Sequence, residues 1–367
     1  MVSSYREFAK LSRQSKITKE FFMSCHDRYA QLNRQRLTVL VGGALALVFF
    51  VLVDLSVGSS NLSLSDALSA LIAGPNGAHI SSVIVWDIRL PMTLTALFVG
   101  MALSVAGLQI QNITGNALAS PSTLGITSAA SFGAAVAIAL GLSVAGVMWI
   151  GSALMALVFA MAVSVAIYLL SQQRGMTPQT VILSGIVMNF FFMALQQLLI
   201  YWSSPEVAQL INGWTFGNLE RSSWLSVSVA AILTLVAVVY LVPRVWAMTA
   251  LTLGEERALS LGIPVTRLRI AAFFVSALLI AGAVAFVGTI GFVGLVAPHL
   301  AKLLLGEDQR FLLPGSILSG ALLMIASSVL AKCLSVGAIL PVGIVTSLIG
   351  VPFLLILLVR QTSGARV

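Results

Sequence analysis

Long uncharged stretches separated by short polar clusters are the first feature of the chain. No Asp, Glu, Lys, Arg or His occurs between Arg89 and Arg174, or between Arg174 and Glu206. A helix needs about 20 apolar residues to cross a bilayer, whereas about a quarter of a soluble domain is charged. The pattern therefore predicts an all-α, polytopic membrane protein. The alternating segments of about ten residues that mark a transmembrane barrel do not occur in the sequence.

Hydrophobic runs and the breakers between them predict about ten transmembrane helices. The predicted spans cover residues 37–53, 91–110, 120–140, 146–170, 180–202, 224–242, 270–288, 290–305, 311–331 and 340–359. After the first span, "SLSD" at 63–66 predicts a capping box that begins a short helix, and "GPNG" ends that helix. The transmembrane domain is predicted to cover 37–360, between an N-terminal tail, 1–36, and a C-terminal tail, 361–367.

Charge is scarce and unevenly placed. Hydrophobic residues make up 59% of the chain and charged residues 9%, with a formal charge of +8. Eight of the twenty basic residues lie in the tail: Arg6, Lys10, Arg13, Lys16, Lys19, Arg28, Arg34 and Arg36. Because cytoplasmic flanks of membrane helices are rich in Lys and Arg, both termini are predicted to be cytoplasmic in a bacterial inner membrane. A cleaved signal peptide is the alternative, although its basic region would be far too long.

The sequence offers this chain no energy source of its own. No span carries an acidic residue near its centre, which counts against an ion-coupled carrier, although backbone carbonyls can bind sodium. The dipeptide Gly-Lys is missing, so there is no P-loop. Cys25 and Cys333 show no metal-ligand spacing. We therefore predict no catalytic, cofactor or metal site, and active transport would need energy from another polypeptide.

The longest polar interruption, 243–269, contains "LTLGEERALSLGIPV". Glycines bound a short predicted helix whose early glutamates suit the positive end of the helix dipole. The residues concerned are Gly254, Glu255, Glu256, Arg257, Leu261 and Gly262. Two interpretations stay open: a solvated connecting loop, or a coupling helix that fits a cleft of a cytoplasmic motor.

Amide side chains lie unexpectedly deep in two apolar segments. They are Gln111, Asn112, Asn116, Gln196 and Gln197. Burying an amide without a partner costs a few kcal/mol. These side chains are therefore predicted to line a translocation path, with interhelical hydrogen bonding as the alternative.

The segment "GTIGFVGLVAPHLAKLLLG" combines small residues with a proline and a histidine. Gly288, Gly291 and Gly294 have the spacing of one helix face, which predicts close helix packing. Pro298 and His299 are predicted at the cytoplasmic end of the eighth span.

Four blocks together resemble one family. They are "IRLP" at 88–91, "GLQIQNITGNALASPSTLGI" at 107–126, "LGI" at 261–263 through "GTIGFVGLVAPHLAKLL" at 288–304, and "LPVGIVTSLIGVPF" at 340–353. In order and spacing they resemble the iron-siderophore, haem and cobalamin permease family of ABC importers, from about residue 60 to about residue 360. The resemblance implies the type II ABC importer permease fold, with ten helices in each subunit.

The resemblance also implies partners. These are a second permease subunit, two cytoplasmic ATPases and a periplasmic binding protein, whose glutamates pair with external basic residues of the permease. Arg89 and Lys332, two basic residues that the topology places outside, match such positions. Met92, Ala117 and Ser328 depart from the family's arginine, proline and acidic residue. These departures predict weaker docking by this chain, which a heterodimer would explain.

The resulting functional prediction is a permease subunit that moves a ferric siderophore across the inner membrane by alternating access. The chain would make or break no covalent bond and is not expected to be an enzyme. Within the family, haem or cobalamin is the alternative cargo. From a different class, an ion-coupled secondary transporter is the alternative function.

Overall fold

The computed structural model describes residues 2–58, 63–75, 77, 80–144, 147–172, 177–335 and 340–364. Within these residues the sole extended pairing is an isolated bridge between Val144 and Val147. The helices are α1 (Val2–Ser56), α2 (Leu64–Ala73), α3 (Ile80–Val83), α4 (Leu90–Thr114), α5 (Ile126–Ala139), α6 (Met148–Gln172), α7 (Pro178–Trp202), α8 (Pro205–Thr215), α9 (Trp224–Leu241), α10 (Val245–Thr252), α11 (Glu255–Ser260), α12 (Val265–Val287), α13 (Val293–Leu305), α14 (Gln309–Leu334) and α15 (Val342–Gly364). A π-helical segment, Ile84–Arg89, leads into α4, and a 3₁₀ turn, Val242–Arg244, joins α9 to α10.

Seven helical segments of the described residues are long and apolar enough to cross a membrane. They are Tyr29–Ser56, Ile80–Thr114, Met148–Gln172, Pro178–Trp202, Trp224–Thr252, Val265–Val287 and Gln309–Leu334. The three remaining predicted spans coincide with shorter apolar helices, Ile126–Ala139, Val293–Leu305 and Val342–Ile356. Every predicted span contains a helix, and the all-α polytopic fold is confirmed.

Two spans are shorter than predicted. Residues 120–140 contain the 14-residue α5, and residues 290–305 contain the 13-residue α13. Helices of this length rise only about 20 Å, less than the roughly 30 Å of hydrocarbon in a bilayer. The backbone interrupts both runs, because Gly125 and Phe292 adopt positive φ angles of 69° and 67°. A single left-handed residue cannot continue a right-handed helix.

The first helix joins two predicted regions. Because α1 is continuous from Val2 to Ser56, the predicted tail and first span form one helix. The chain divides into two compact units, 1–42 and 43–367. The predictions about Cys25 and about the side chains of the basic residues before Tyr29 lie outside the described residues.

The predicted capping box before α2 is confirmed. The Ser63 hydroxyl accepts a hydrogen bond from the Asp66 amide at 3.2 Å, and the Asp66 carboxylate accepts one from the Ser63 amide at 3.3 Å. These bonds satisfy amides that would otherwise be unpaired at the start of α2. The helix then packs against the π-helical segment, where the Trp86 indole donates to the Ala70 carbonyl at 3.1 Å.

α4 is the central helix of the second unit. α9, α12, α13 and α14 pack around it, so residues on all of its sides are buried. Two glycine pairs set the closest approaches: Gly100 lies against Gly320 of α14, and Gly107 lies against Gly294 of α13. Small residues let helix backbones approach closely in membrane proteins.

The predicted helix face of Gly288, Gly291 and Gly294 is wrong. α12 ends at Val287 and α13 begins at Val293, so only Gly294 is helical. Gly288 has φ of 81° and leaves no room for a Cβ beside the Trp214 carbonyl. The turn chemistry of glycine, rather than its small size on a helix, explains Gly288.

Candidate functional site

Polar side chains gather at the two ends of the antiparallel pair α4 and α14. α4 has 25 residues and is about 38 Å long. One end holds Asp54, Arg89, Thr93 and Lys332 and is called the latch end. The other holds α10, α11 and the polar residues against them and is called the connector end.

The latch end is built around the carboxylate of Asp54. Its Oδ2 lies 2.9 Å from Lys332 Nζ and accepts a hydrogen bond of 2.5 Å from the Thr93 hydroxyl. The Lys332 ammonium also donates to the Asp54 carbonyl at 2.9 Å. The side chains of Lys332 and Asp54 are 2% and 0% exposed. This ion pair therefore joins α1, α4 and α14 out of contact with water.

Arg89, the last residue of the π-helical segment, also belongs to the latch end. Its Nη1 donates to the carbonyls of Leu55 and Ser56 at 2.6 and 2.8 Å. Arg89 is 4% exposed. Both predicted docking cations are thus buried and engaged inside the subunit, and docking itself stays a prediction.

Two of the departures from the family pattern lie together at the latch end. Met92 and Ser328 line the same narrow gap between α4 and α14 and are both buried. Because both are uncharged, this gap contains neither an unpaired cation nor an unpaired anion, and a buried unpaired charge is what a protein interior tolerates least.

At the connector end, the predicted short helix is confirmed as α11, Glu255–Ser260, directly after Gly254. Within α11, Ala258 is fully buried. Leu253, Leu259 and Leu261 are instead 57%, 55% and 66% exposed. A six-residue helix with one buried alanine cannot be held by its own apolar contacts, so its polar attachments matter.

One attachment is an ion pair. Glu255, the first residue of α11, accepts a 3.1 Å hydrogen bond from Arg269 Nη2, and Arg269 Nε donates to the Ile113 carbonyl at 3.1 Å. The Arg269 side chain is 5% exposed and that of Glu255 is 49% exposed. One buried guanidinium therefore connects α11 to the last turn of α4.

A cavity of about 360 Å³ opens beside this pair. Among its lining residues are two predicted path amides, Gln111 and Asn112, together with Gly254, Glu255 and Pro298. The Asn112 side-chain oxygen accepts a hydrogen bond from Gln309 Nε2 at 3.1 Å, and Gln111 Nε2 donates to the Leu295 carbonyl at 3.4 Å. The structure thus brings the predicted path and the predicted coupling segment together.

His299 and Asn116, two further predicted site residues, are not among the residues that line this cavity. The His299 ring packs edge-on against Phe353, with 6.1 Å between centroids. Asn116 is exposed, and its side-chain oxygen accepts from the Leu118 amide at 2.9 Å, which shapes the turn after α4.

Gln196 and Gln197 lie elsewhere, on a second cavity of about 400 Å³ between α5, α7 and α8. Gln196 Nε2 donates to the Thr215 hydroxyl at 3.1 Å, and the Thr215 carbonyl accepts from the Thr289 hydroxyl. A groove of about 620 Å³ shares Thr215, Thr289 and Gly291 with it. Within the described part of the chain, the residues that line these two spaces include hydroxyls and amides but no Asp, Glu, Lys, Arg or His.

Sequence reasoning missed three residues of these sites. Asp54 directly follows an apolar run, as an ordinary external flank would. No site role was assigned to Arg269 or Gln309 from the sequence. The one available signal was that a charged residue within an apolar helix needs a partner, but the sequence does not say which partner.

Comparison with known proteins gives a consistent family assignment. The model of the FecCD transport family matches residues 40–360. The ABC transporter permease protein MJ0087 of Methanocaldococcus jannaschii is 37% identical over 315 residues, which cover 84% of this chain and 90% of the relative. The hemin transport system permease protein HmuU of Yersinia pestis is 34% identical over 319 residues, which cover 86% and 95%.

A solved structure agrees with the fold. It is a metal-chelate type ABC transporter in an inward-facing conformation, with a TM-score of 0.77 and 31% identity over 89% of this chain and 99% of the other. Other relatives are named for the import of Fe(3+)-citrate (Bacillus subtilis), cobalamin (Halobacterium salinarum) and molybdate (Haemophilus influenzae).

Proposed function

The chain belongs to the FecCD transport family of ABC transporter permeases, and from this premise we propose that it carries a ferric siderophore across the bacterial inner membrane by alternating access. As a member of this family it is a membrane permease and not an enzyme. The proposed partners are two cytoplasmic ATPases, a second permease subunit and a periplasmic binding protein, with both termini of this chain in the cytoplasm.

One observation carries the proposal: leucines in α11 and directly after it are exposed, while Glu255 ties this helix to the bundle. Leu259 and Leu261 are more than half exposed at the connector end. A short helix with this placement suits a cleft on an ATPase, because burying leucines gives roughly 1.5–3 kcal/mol each. Movement of the ATPase would then reach the helix bundle through α11.

Leu261→Ser tests this contact. We expect the variant to fold normally and to lose most of its co-purified ATPase, because an exposed apolar side chain contributes to binding but little to stability. Leu64→Ser is the matched control. Leu64 is 50% exposed, and it lies on α2 rather than at the connector end. Equal ATPase capture by the two variants would contradict the assignment of α11.

The chemistry of the path supports the proposed cargo. The second cavity and its neighbouring groove present hydroxyls, amides and apolar side chains without a fixed charge. Such a surface suits a bulky chelate that must pass without tight binding. A small oxyanion such as molybdate is ordinarily bound by cations or by helix N-termini. Among the described residues no cationic side chain lines these two spaces, whereas Arg269 and Lys302 line the cavity at the connector end.

Uptake into proteoliposomes tests the proposal. The permease, its ATPase and its binding protein would be offered a ferric siderophore, haem, cobalamin or molybdate in separate assays. We expect ATP-dependent uptake of the ferric siderophore only. Uptake of another cargo would correct the substrate, and uphill uptake by this chain alone on an ion gradient would replace the proposed function by that of a secondary transporter.

Docking of the binding protein by Arg89 and Lys332 is also proposed, with one condition set by the structure. A carboxylate of the partner must compete with Asp54 for Lys332. Asp54→Asn removes this competitor, so folded Asp54→Asn protein should capture the binding protein more tightly than the unmodified chain. Unchanged or weaker capture by the folded variant would argue that Lys332 acts only inside the subunit.

A further inference from the structure

α10 and α11 are attached to the rest of the helix bundle by two separate hydrogen-bonded bridges. The bridges end on adjacent residues of α4. The first runs from Glu255 of α11 through Arg269 to the Ile113 carbonyl. The second runs from Thr249 of α10 through Gln309 to the side chain of Asn112. Residues far apart in sequence therefore converge on one turn.

The second bridge is as well buried at its centre as the first. The Gln309 amide donates to the Thr249 hydroxyl oxygen at 3.3 Å, and its side chain donates to Asn112 at 3.1 Å. Gln309 is 1% exposed. It holds α10 and α14 against α4. Thr249 and Asn112 at the ends of this bridge are half-buried, and Glu255 of α11 is the most exposed residue of the two bridges.

The place where the bridges end is where α4 itself stops. α4 ends at Thr114, Gly115 takes a φ of 59°, and α5 begins at Ile126. The linking segment and the start of α5 provide Ser122, Thr127 and Ser128 to the second cavity. A displacement applied at 112–113 is therefore passed to the next segment of the chain, which lines the proposed path.

We infer that Arg269 is a positioning residue that transmits movement of α11 to the end of α4, and so couples the motor to the path. The inference rests on the proposed function. Its guanidinium suits the task because planar, fixed donors can bind a carboxylate and a carbonyl at once, which a lysine ammonium does with less directional control. The half-exposed carboxylate of Glu255 can be rehydrated when it leaves Arg269, which keeps its hydrogen bond to the Ile113 carbonyl.

The test compares cargo imported per ATP hydrolysed in proteoliposomes of the full complex. The cargo probe is the compound that the unmodified complex imports among ferric siderophore, haem, cobalamin and molybdate. For Glu255→Gln and Arg269→Gln we expect this ratio to fall about five- to tenfold, with ATPase capture and ATP hydrolysis retained. A purely structural role would lower assembly and hydrolysis along with transport.

Arg267→Gln is the matched control. Arg267 lies two residues before Arg269 on the same helix but is exposed. The cargo that the Arg267→Gln complex imports per ATP hydrolysed should therefore stay within about twofold of the value for the unmodified complex. The double variant Glu255→Gln/Arg269→Gln should lose no more than the worse single variant, because both changes break one link. Glu256→Gln combined with Arg269→Gln should instead show additive effects.

The outcomes separate this inference from the proposed function. Unchanged ratios in both single variants, or additive losses in the Glu255/Arg269 double variant, overturn the role of Arg269 while transport by the unmodified complex still stands. If the unmodified complex captures no ATPase and hydrolyses no ATP during uptake, the proposed function itself fails and the role of Arg269 fails with it.

Discussion

The latch end and the connector end contain the same kind of interaction in opposite surroundings. Lys332 and Asp54 are 2% and 0% exposed, whereas Arg269 and Glu255 are 5% and 49% exposed. At the latch end, both charges are withdrawn from water, and the Thr93 hydroxyl donates one additional hydrogen bond to the carboxylate. At the connector end, one charge is buried and its partner stays in contact with solvent.

This difference assigns the two ends different tasks. Breaking a fully buried ion pair leaves an uncompensated charge in a low-dielectric interior, so such a pair holds its helices in one arrangement. A pair with one solvated partner opens at a lower cost, because water takes over the freed carboxylate while Arg269 keeps its hydrogen bond to the Ile113 carbonyl. The latch end therefore fixes α1, α4 and α14, and the connector end can rearrange.

The largest effect is expected at the latch end. Lys332→Met should destabilise the protein by about 3–5 kcal/mol, because Asp54 would lose its ion-pair partner in an enclosed site. The measurement is unfolding of the purified protein in mixed micelles titrated with denaturing detergent. The double variant Asp54→Asn/Lys332→Met should recover most of this loss, and a double variant as unstable as Lys332→Met would show that the pair is not the cause.

A substitution midway along α4 supplies a reference that involves no charge. A Cβ at Gly107 would overlap the Gly294 carbonyl of α13, so Gly107→Ala should destabilise by about 1–3 kcal/mol through overpacking. The same unfolding assay measures it, and the loss should not change with salt concentration. Gly42→Ala, where a Cβ would meet no neighbouring atom, serves as the control.

The smallest effect on stability is expected at the connector end. Glu255→Gln should cost less than about 1 kcal/mol, because the carboxylate is half exposed and the side-chain oxygen of the glutamine can still accept a hydrogen bond from Arg269. Raising the salt concentration should shrink this difference further. A loss comparable to that of Lys332→Met would remove the contrast between the two ends.

Local signals in the sequence predicted local structure well. The capping residues of α2, the glycine before α11 and the apolar runs each act within a few neighbouring residues, and the structure places the helices accordingly. The prediction of a helix face failed for Gly288, Gly291 and Gly294. Glycines three residues apart occur both on one face of a helix and in a series of turns. Backbone conformation decided between them.

The amides show the same limit at the candidate site. Five deep amides were predicted to form one path, yet Gln111 and Asn112 lie at the connector end while Gln196 and Gln197 line a different cavity. Polarity in an apolar segment indicates that a partner exists, but the partner comes from another helix. Gln309, which binds Asn112, lies 197 residues further along the chain.

The sequence by itself determined that the chain is a helical membrane protein with about ten spans and an acidic short helix between two of them. These properties depend on the solvent preference and the local conformation of each segment. Only the tertiary structure decided that Arg89 and Lys332 are buried around Asp54 and that Arg269 joins α11 to α4. Both depend on which helices become neighbours, because a charge in an apolar interior takes its stability from a partner that folding alone brings within reach.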